Sequence, residues 1–490
     1  MHARRWITLG LALGGTVGAC YRYDATYCGN LEGHATCREL GLGQFCSLCS
    51  FDKGGCVEAR PSSDCLAPFE IPGEEGGSSG DTGSETGGSD TEDSGSGSSA
   101  TMGSGSSGDG PCTGPEDCPE AAPFCDPVGA CVTCDAMEDP DGACAELGGG
   151  TPLCVGGTCV ACTDEDTSVC DGQLRLCDPE TNACVDCTEH PQCESGACQL
   201  DVGTCFPTDV VVHVDGDGGQ DFTTVGAAIA SFNDGALGVI VVHERAASAP
   251  YTEALAVDGG KVLAMVAADG ESPEFQGVGA SPGLAVQGAG TTLYLEALTS
   301  ADGNAFGLVC DGARADLRRA RIVQNTGGGI LAQGGCELSV ENSFVGGTID
   351  TDALEAQSST VSVLYSTLAA SAMIAGSPAA LRCDGSSTVE ARNSILVGAS
   401  PEPEFQCAGA TVTTSAGEGD LPGTDNVAVG TFDPGWFANF VGGDFSLTAA
   451  GGTAFEGIAR WEEGDPSTDI NGDGRPTEVG MADVVGADVP

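Results

Sequence analysis

Positive charge is scarce in this chain: its 490 residues hold 17 Lys and Arg against 72 Asp and Glu, for a formal net charge of −55. Nucleic acid therefore finds no basic surface to bind. Aromatic residues make up only 5%, too few for a base-stacking platform. The longest apolar run, from Trp6 to Val17, is too short to span a bilayer. What the chain has in excess is glycine, 77 residues, and cysteine, 27. Cysteines this frequent and this regularly spaced belong to an oxidising compartment. At about 150 residues per domain the length suggests roughly three units.

Arg4 and Arg5 precede the apolar run, and small residues then lead to Cys20, the layout of an export signal over residues 1–19. Val17, Gly18, Ala19 and Cys20 resemble the lipobox of bacterial lipoproteins, in which the cysteine becomes the acylated N-terminus. The resemblance implies export and a lipid anchor at Cys20 on the outer membrane or cell surface. Cysteine arithmetic agrees, because the other 26 fall into even groups of 6, 16 and 4 and leave Cys20 over.

The first group (Cys28, Cys37, Cys46, Cys49, Cys56, Cys65) occupies a module at 20–72 too small to fold on its apolar core, so disulfides must supply the stability. Residues 73–110 are almost all Gly, Ser, Thr and acids, without a base, and read as a disordered linker spanning roughly 35 Å as a coil. The block at 111–207 repeats. PFCDPVGACVTC, PLCVGGTCVAC and RLCDPETNACVDC each close a unit in a CxxC pair: Cys131/Cys134, Cys159/Cys162 and Cys184/Cys187. Cys193, Cys198 and Cys205 form a degenerate fourth unit. Zinc knuckles share this spacing. The export signal, the even counts and the interleaving favour disulfides, with pairings that sequence leaves open.

From 208 to 490 short β-rich runs alternate with Gly, Asn and Asp. Val210–Val214 and Val239–Val242 read as strands, and Asp221 as the cap of a helix whose Phe222, Val225, Ile229 and Phe232 share a face. Further strands recur as LYLEA (293–297), LRRAR (317–321), LSVEN (338–342), VSVLY (361–365) and VEARN (389–393), with ends 24, 21, 23 and 28 residues apart. A recurrence of this length suits a solenoid whose coils stack at about 4.8 Å. Asn342 and Asn393 fall at equivalent strand ends, where Asn tolerates a left-handed turn. Cys310 and Cys336, and Cys383 and Cys407, lie about one coil apart and can staple neighbours. The stretch DGDGGQDFTTVGAAIASF (215–232) resembles the entry cap of pectin-lyase-like β-helices, and GGDFSLTAAGGTAFEGI, STDINGDGRP and ADVVGADVP resemble their terminal caps. The fold class read from these features is all-β: a C-terminal right-handed parallel β-helix preceded by small disulfide-rich modules and a disordered linker.

Many β-helices cleave polysaccharides, and Asp350, Asp352 and Glu355 faintly resemble the paired carboxylates of polygalacturonase-like hydrolases. The accompanying Asp-Asp, Gly-His-Gly and Arg-Ile-Lys segments are missing from the sequence, and acids of a solvated turn are the plainer reading. Asp469, Asn471 and Asp473 match the first half of a calcium loop, with Gly480 where the bidentate Glu belongs; Asp215, Asp217 and Asp221 match less well. No cofactor is required by these patterns, and Ca²⁺ is the cation they could take. Arg314, Arg318, Arg319 and Arg321 either bind an anionic ligand or form a charge ladder with Glu296 and Glu341 on adjacent coils. Strict alternation from Leu317 would turn Arg319 and Arg321 inward, so a bulge before Ile322 is expected. The expected function is a surface-anchored, non-enzymatic lipoprotein whose β-helix serves binding, adhesion or an envelope-structural role, with polysaccharide or another surface protein as partner. The alternative is a carbohydrate-active lyase or hydrolase.

Overall fold

The computed structural model describes residues 111–371, 378–399 and 404–490, with a two-stranded hairpin of Phe45–Cys46 against Cys56–Val57. Cys20, the stretch 1–19 read as an export signal, the rest of the first cysteine group and the stretch 73–110 read as a linker lie outside the described residues. The chain divides into two units, and the second, Ser106–Pro490, holds the cystine array and the solenoid.

Each module of the array is an antiparallel hairpin tied back to the segment before it. The hairpins are Phe124–Cys125 with Cys131–Val132, Leu153–Val155 with Thr158–Val160, Leu176–Asp178 with Ala183–Val185, and Cys198–Gln199 with Thr204–Cys205. Disulfides join Cys112–Cys125 and Cys118–Cys131, Cys134–Cys154 and Cys144–Cys159, Cys162–Cys177 and Cys170–Cys184, and Cys187–Cys198 and Cys193–Cys205. The pattern is first to third, second to fourth in every module. This corrects the reading of each CxxC as the close of one unit: Cys131 ends a module and Cys134 opens the next. The fourth module is accordingly complete, with Cys187 as its first cysteine. Closing loops of 11 to 20 residues narrows the unfolded ensemble by about 3 kcal/mol each, which substitutes for a core these hairpins are too small to form.

The solenoid contains about eight turns, between residues 211 and 417. Three parallel sheets, here A, B and C, have ten, nine and seven strands. Sheet A runs through Val211–Val214, Leu237–Val242, Val262–Ala267, Thr292–Glu296, Arg314–Arg318, Glu337–Glu341, Thr360–Leu364, Thr388–Arg392, Thr411–Thr413 and Gly423–Thr424. Register stacks like on like: Leu263, Leu293, Ala315, Leu338, Val361 and Val389 form one interior ladder, and Met265, Leu295, Leu317, Val340, Val363, Ala391 and Val412 a second. The strand of the fifth coil is RADLR, not LRRAR. Arg318 is therefore the partner of Glu296 and Glu341, and the ends are 22 and 23 residues apart rather than 24 and 21.

A left-handed residue turns the chain from sheet A to sheet B in coil after coil: Ala297, Arg319, Asn342, Tyr365, Asn393, Thr414 and Asp425 all have φ between 44° and 59°. Arg319 thus sits at a corner, and no bulge is needed to place Ala320 and Ile322 inside. The corner breaks the ladder, and a buried N–H left there must find a partner. Serines supply it. Ser343, Ser366, Ser394 and Ser415 are fully buried, and each Oγ donates to the carbonyl two residues back while accepting the N–H one coil earlier. Cys310–Cys336 and Cys383–Cys407 join consecutive coils at sheet C.

The first coil is entered through the helix Val225–Ser231, whose N-cap is Thr224, accepting from Ala227 N–H; Asp221 instead accepts from His213 N–H. The C-terminal stretch beyond 430 packs Trp436, Phe437, Phe440, Phe445 and Phe455 against Phe344, Ile395 and Val397 of sheet B. The tail read as a terminal cap lies along the A–B corner. Asn342 Nδ2 donates to Thr468 O, Asn393 exchanges hydrogen bonds with the Arg460 backbone, and Arg392 chelates Asp465.

Ser366→Ala should lower the free energy of unfolding by about 1–3 kcal/mol, the cost of a buried N–H without an acceptor. Denaturant unfolding with disulfides intact measures this, and a neutral result would mean that the serine column is not a stabilising feature.

Candidate functional site

The fourth cystine module rests on the outer face of sheet A. Phe206 and Ala197 pack with Val239, Ala264, Val266 and Tyr294; the Tyr294 hydroxyl donates to Asp201, and Arg318 donates to Thr188 O at 2.8 Å. Between this module, the first coils and Ile470–Asn471 of the tail lies a cavity of about 1020 Å³. All three histidines among the described residues line it: His190 from the module, and His213 and His243 from sheet A.

His190 is 2% exposed. Its Nδ1 accepts Cys198 N–H at 3.0 Å, which places the ring proton on Nε2. That Nε2 is buried and has no protein partner. Burial, then the nearby charges of Arg318 and Arg319, push the His190 pKa down to about 3, so the ring is a neutral donor at physiological pH. On the opposite wall His213 and His243 stack with centroids 5.5 Å apart, His213 Nδ1 and His243 Nε2 lie 3.3 Å apart, and His243 Nδ1 is 3.3 Å from Glu271 Oε1. Glu271 is itself held by Glu244 N–H.

The four arginines do not form one cluster. Arg314 pairs with Asp316 at 2.8 Å and faces Glu337; Arg318 faces Glu341 at 3.4 Å; Arg319 binds Glu296 at 2.5 Å. Arg321 donates to Asn471 Oδ1 and lies over the Phe344 ring. Burial raises the pKa of both Glu296 and Glu341, while Arg319 and Arg318 respectively pull it back down. Only Arg319 and Arg321 reach the cavity.

The acids singled out in the sequence are also engaged. Asp352 takes a bidentate Arg382 (2.7 and 3.0 Å) and Ala379 N–H, and Glu355 accepts from Gln357. Asp350 is a corner residue with φ of 61°. Asp469 accepts three backbone N–H groups, from Asn471, Asp473 and Val489, and the side chain of Asn471 is shared between Arg321 and Asp488. Asp215 and Asp217 likewise accept from Asp217 N–H and Ala246 N–H. The cysteine trios close enough to suggest a metal, such as Cys134, Cys144 and Cys154, are all committed to disulfides. The histidine cavity escapes a motif search because its members come from separate coils and a separate module. The only signal was scarcity, five histidines in 490 residues.

Residues 99–211 match a family described as a family of unknown function, DUF8331, a span that ends where the first solenoid strand begins. No curated protein matches the chain.

Two outcomes follow. Unfolded His190 titrates near 6.5 and folded His190 near 3, so its contribution is complete above about 6.5 and is lost as the pH falls toward 3. The stability gap between the wild type and His190→Asn should therefore narrow below pH 6.5, by up to roughly 1 kcal/mol per pH unit; a gap independent of pH would contradict the assignment. Taking the difference removes the opposing contribution of the raised carboxylates. Arg319→Ala, which strands Glu296, should cost about 1–3 kcal/mol after allowance for the partial exposure of Arg319. Glu296→Gln in the same chain should restore most of it in a double-mutant cycle.

Proposed function

We propose that this protein is a surface lipoprotein, anchored through Cys20, whose cystine array carries a pectin-lyase-like β-helix outward as a non-enzymatic binding module. The observation that carries the reading is the cavity at the joint of array and solenoid, where His190 Nε2–H is buried without a protein acceptor. A donor held this way favours a ligand bearing acceptor oxygens, because an unmet buried donor costs about 1–3 kcal/mol that binding recovers. The cavity wall also offers Glu194, Asp269 and Arg319, a mixture of acceptors and donors suited to the hydroxyls of a polysaccharide or the polar surface of another envelope protein. That Asp352 and Glu355 are spent on Arg382 and Gln357 supports a binding role over hydrolysis. Among the described residues, the Glu271–His243 pair in an open cavity is the arrangement that favours an enzymatic reading, since a carboxylate beside an imidazole is a general-base geometry.

Screening the mature chain on a glycan array tests this. Retention of one glycan class that His190→Asn loses, with no release of reducing ends or unsaturated products, is the expected outcome; turnover would favour the enzyme. For the anchor, Cys20→Ser should abolish lipid labelling and move the protein to the soluble fraction, and continued membrane retention would defeat it.

A further inference from the structure

We propose that His213 and His243 form a two-imidazole site for a divalent transition ion, Zn²⁺ in the first instance, with Glu271 as the carboxylate that orients His243. This stands on the geometry of the pair and is independent of what ligand the cavity binds.

His213 lies in the strand Val211–Val214, and His243 directly follows Leu237–Val242, its N–H donating to Val214 O. Adjacent parallel strands thus fix the two rings on the outside of sheet A. Their facing nitrogens are 3.3 Å apart. This equals the separation, about 3.3 Å, of two donors held at 2.0–2.1 Å from one tetrahedral zinc. That distance also makes a long N···N hydrogen bond, whose donor is set by the tautomers of the two rings. Glu271, following the next strand of the same sheet, faces the other nitrogen of His243. A carboxylate there keeps the proton on Nδ1 and leaves the Nε2 lone pair directed at His213, the arrangement in which a carboxylate, a histidine and a metal stand in line. Only 23% of the His243 side chain and 34% of that of Glu271 is exposed, so the array is held yet opens into the cavity. The remaining coordination positions would fall to water or to oxygen atoms of a ligand. Imidazole donors select Zn²⁺, Cu²⁺ or Ni²⁺ over Ca²⁺ and Mg²⁺, which separates this site from the many surface carboxylates.

The test is calorimetric titration of Zn²⁺ into the full mature chain without reductant, in excess Ca²⁺ and Mg²⁺ to fill carboxylate sites. One equivalent should bind, His213→Gln and His243→Gln should each weaken it at least tenfold, and Glu271→Gln should weaken it by about 10–100-fold. Histidine acylation by diethylpyrocarbonate, mapped by mass spectrometry on the wild type, reads the site without a variant, and Zn²⁺ should protect both rings. Binding that survives either histidine substitution, or rings modified equally with and without Zn²⁺, overturns the proposal.

Discussion

The left-handed corner between sheets A and B is the constraint on which the rest of the solenoid depends. Coils can stack in register only if each turns at the same point, and a positive φ costs about 1 kcal/mol or more for a residue other than glycine. Here the position is filled by Ala297, Arg319, Asn342, Tyr365, Asn393 and Thr414, so residue type does not determine it. From Asn342 onward, what makes it repeat is the column of serines one residue later, Ser343, Ser366, Ser394 and Ser415, whereas Leu298 and Ala320 follow the two earlier corners. Each hydroxyl satisfies the N–H of the coil before and a carbonyl of its own. A coil that turned one residue early would leave two buried groups unpaired. The serine column thus fixes register where the apolar ladders, being non-directional, would tolerate a slip.

The same corner receives the tail. Asn342 and Asn393 relieve the left-handed conformation and spend their amides on Thr468 and Arg460. Arg475, fully buried, reaches Asn342 and Asp483 and stacks over Tyr365 at 4.2 Å. Its two terminal nitrogens are occupied, Nη1 by Asp483 and Val484 O and Nη2 by Asn342 and Gly486 O, while Nε has no partner, so the tail is held by these polar contacts as well as by the phenylalanine cluster. In a chain this acidic, most basic residues of the solenoid go to structural pairs of this kind. Arg314, Arg318 and Arg319 follow the same pattern, with their partners Glu337, Glu341 and Glu296 on neighbouring coils, whereas Arg321 is held by Asn471 and the Phe344 ring.

The solenoid was legible in the sequence because alternation within a strand and recurrence between strands are both written in residue type. LYLEA, LSVEN, VSVLY and VEARN each place two apolar residues inward, and they mark coils four, six, seven and eight of sheet A. The fifth coil was misplaced for a physical reason. Arg319 holds a position where Asn342 and Asn393 gave the expected signature, so LRRAR looked like the strand although it straddles the corner. In the array, the repeated phrases were visible, but the unit boundary was not. A CxxC pair looks like one element, and only the pairing reveals it as a joint. The cavity was not legible at all, since no spacing links residues 190, 213, 243 and 271.

That dispersion says how the cavity depends on the fold. His190 is fixed by the 3₁₀ turn His190–Gln192, which lies between Cys187 and Cys193, and its Nδ1 is satisfied by the backbone of Cys198. Both disulfides of the fourth module therefore bear on one ring. Opening Cys187–Cys198 would release the N–H that determines the tautomer of His190 along with the strand that buries it. His213 and His243, by contrast, depend on the pairing of the first two sheet A strands, which no disulfide touches. The two walls of the cavity are thus stabilised by different physics, covalent closure on one side and ladder register on the other. They meet through Tyr294, whose ring packs edge-on against His190 and Phe206 and whose hydroxyl is bonded to Asp201. Tyr294 is thus one of the sheet A residues on which the cystine module sits, together with Val239, Ala264 and Val266 under Phe206 and Ala197 and with Arg318, which donates to Thr188 O, and it is these contacts that couple one wall to the other.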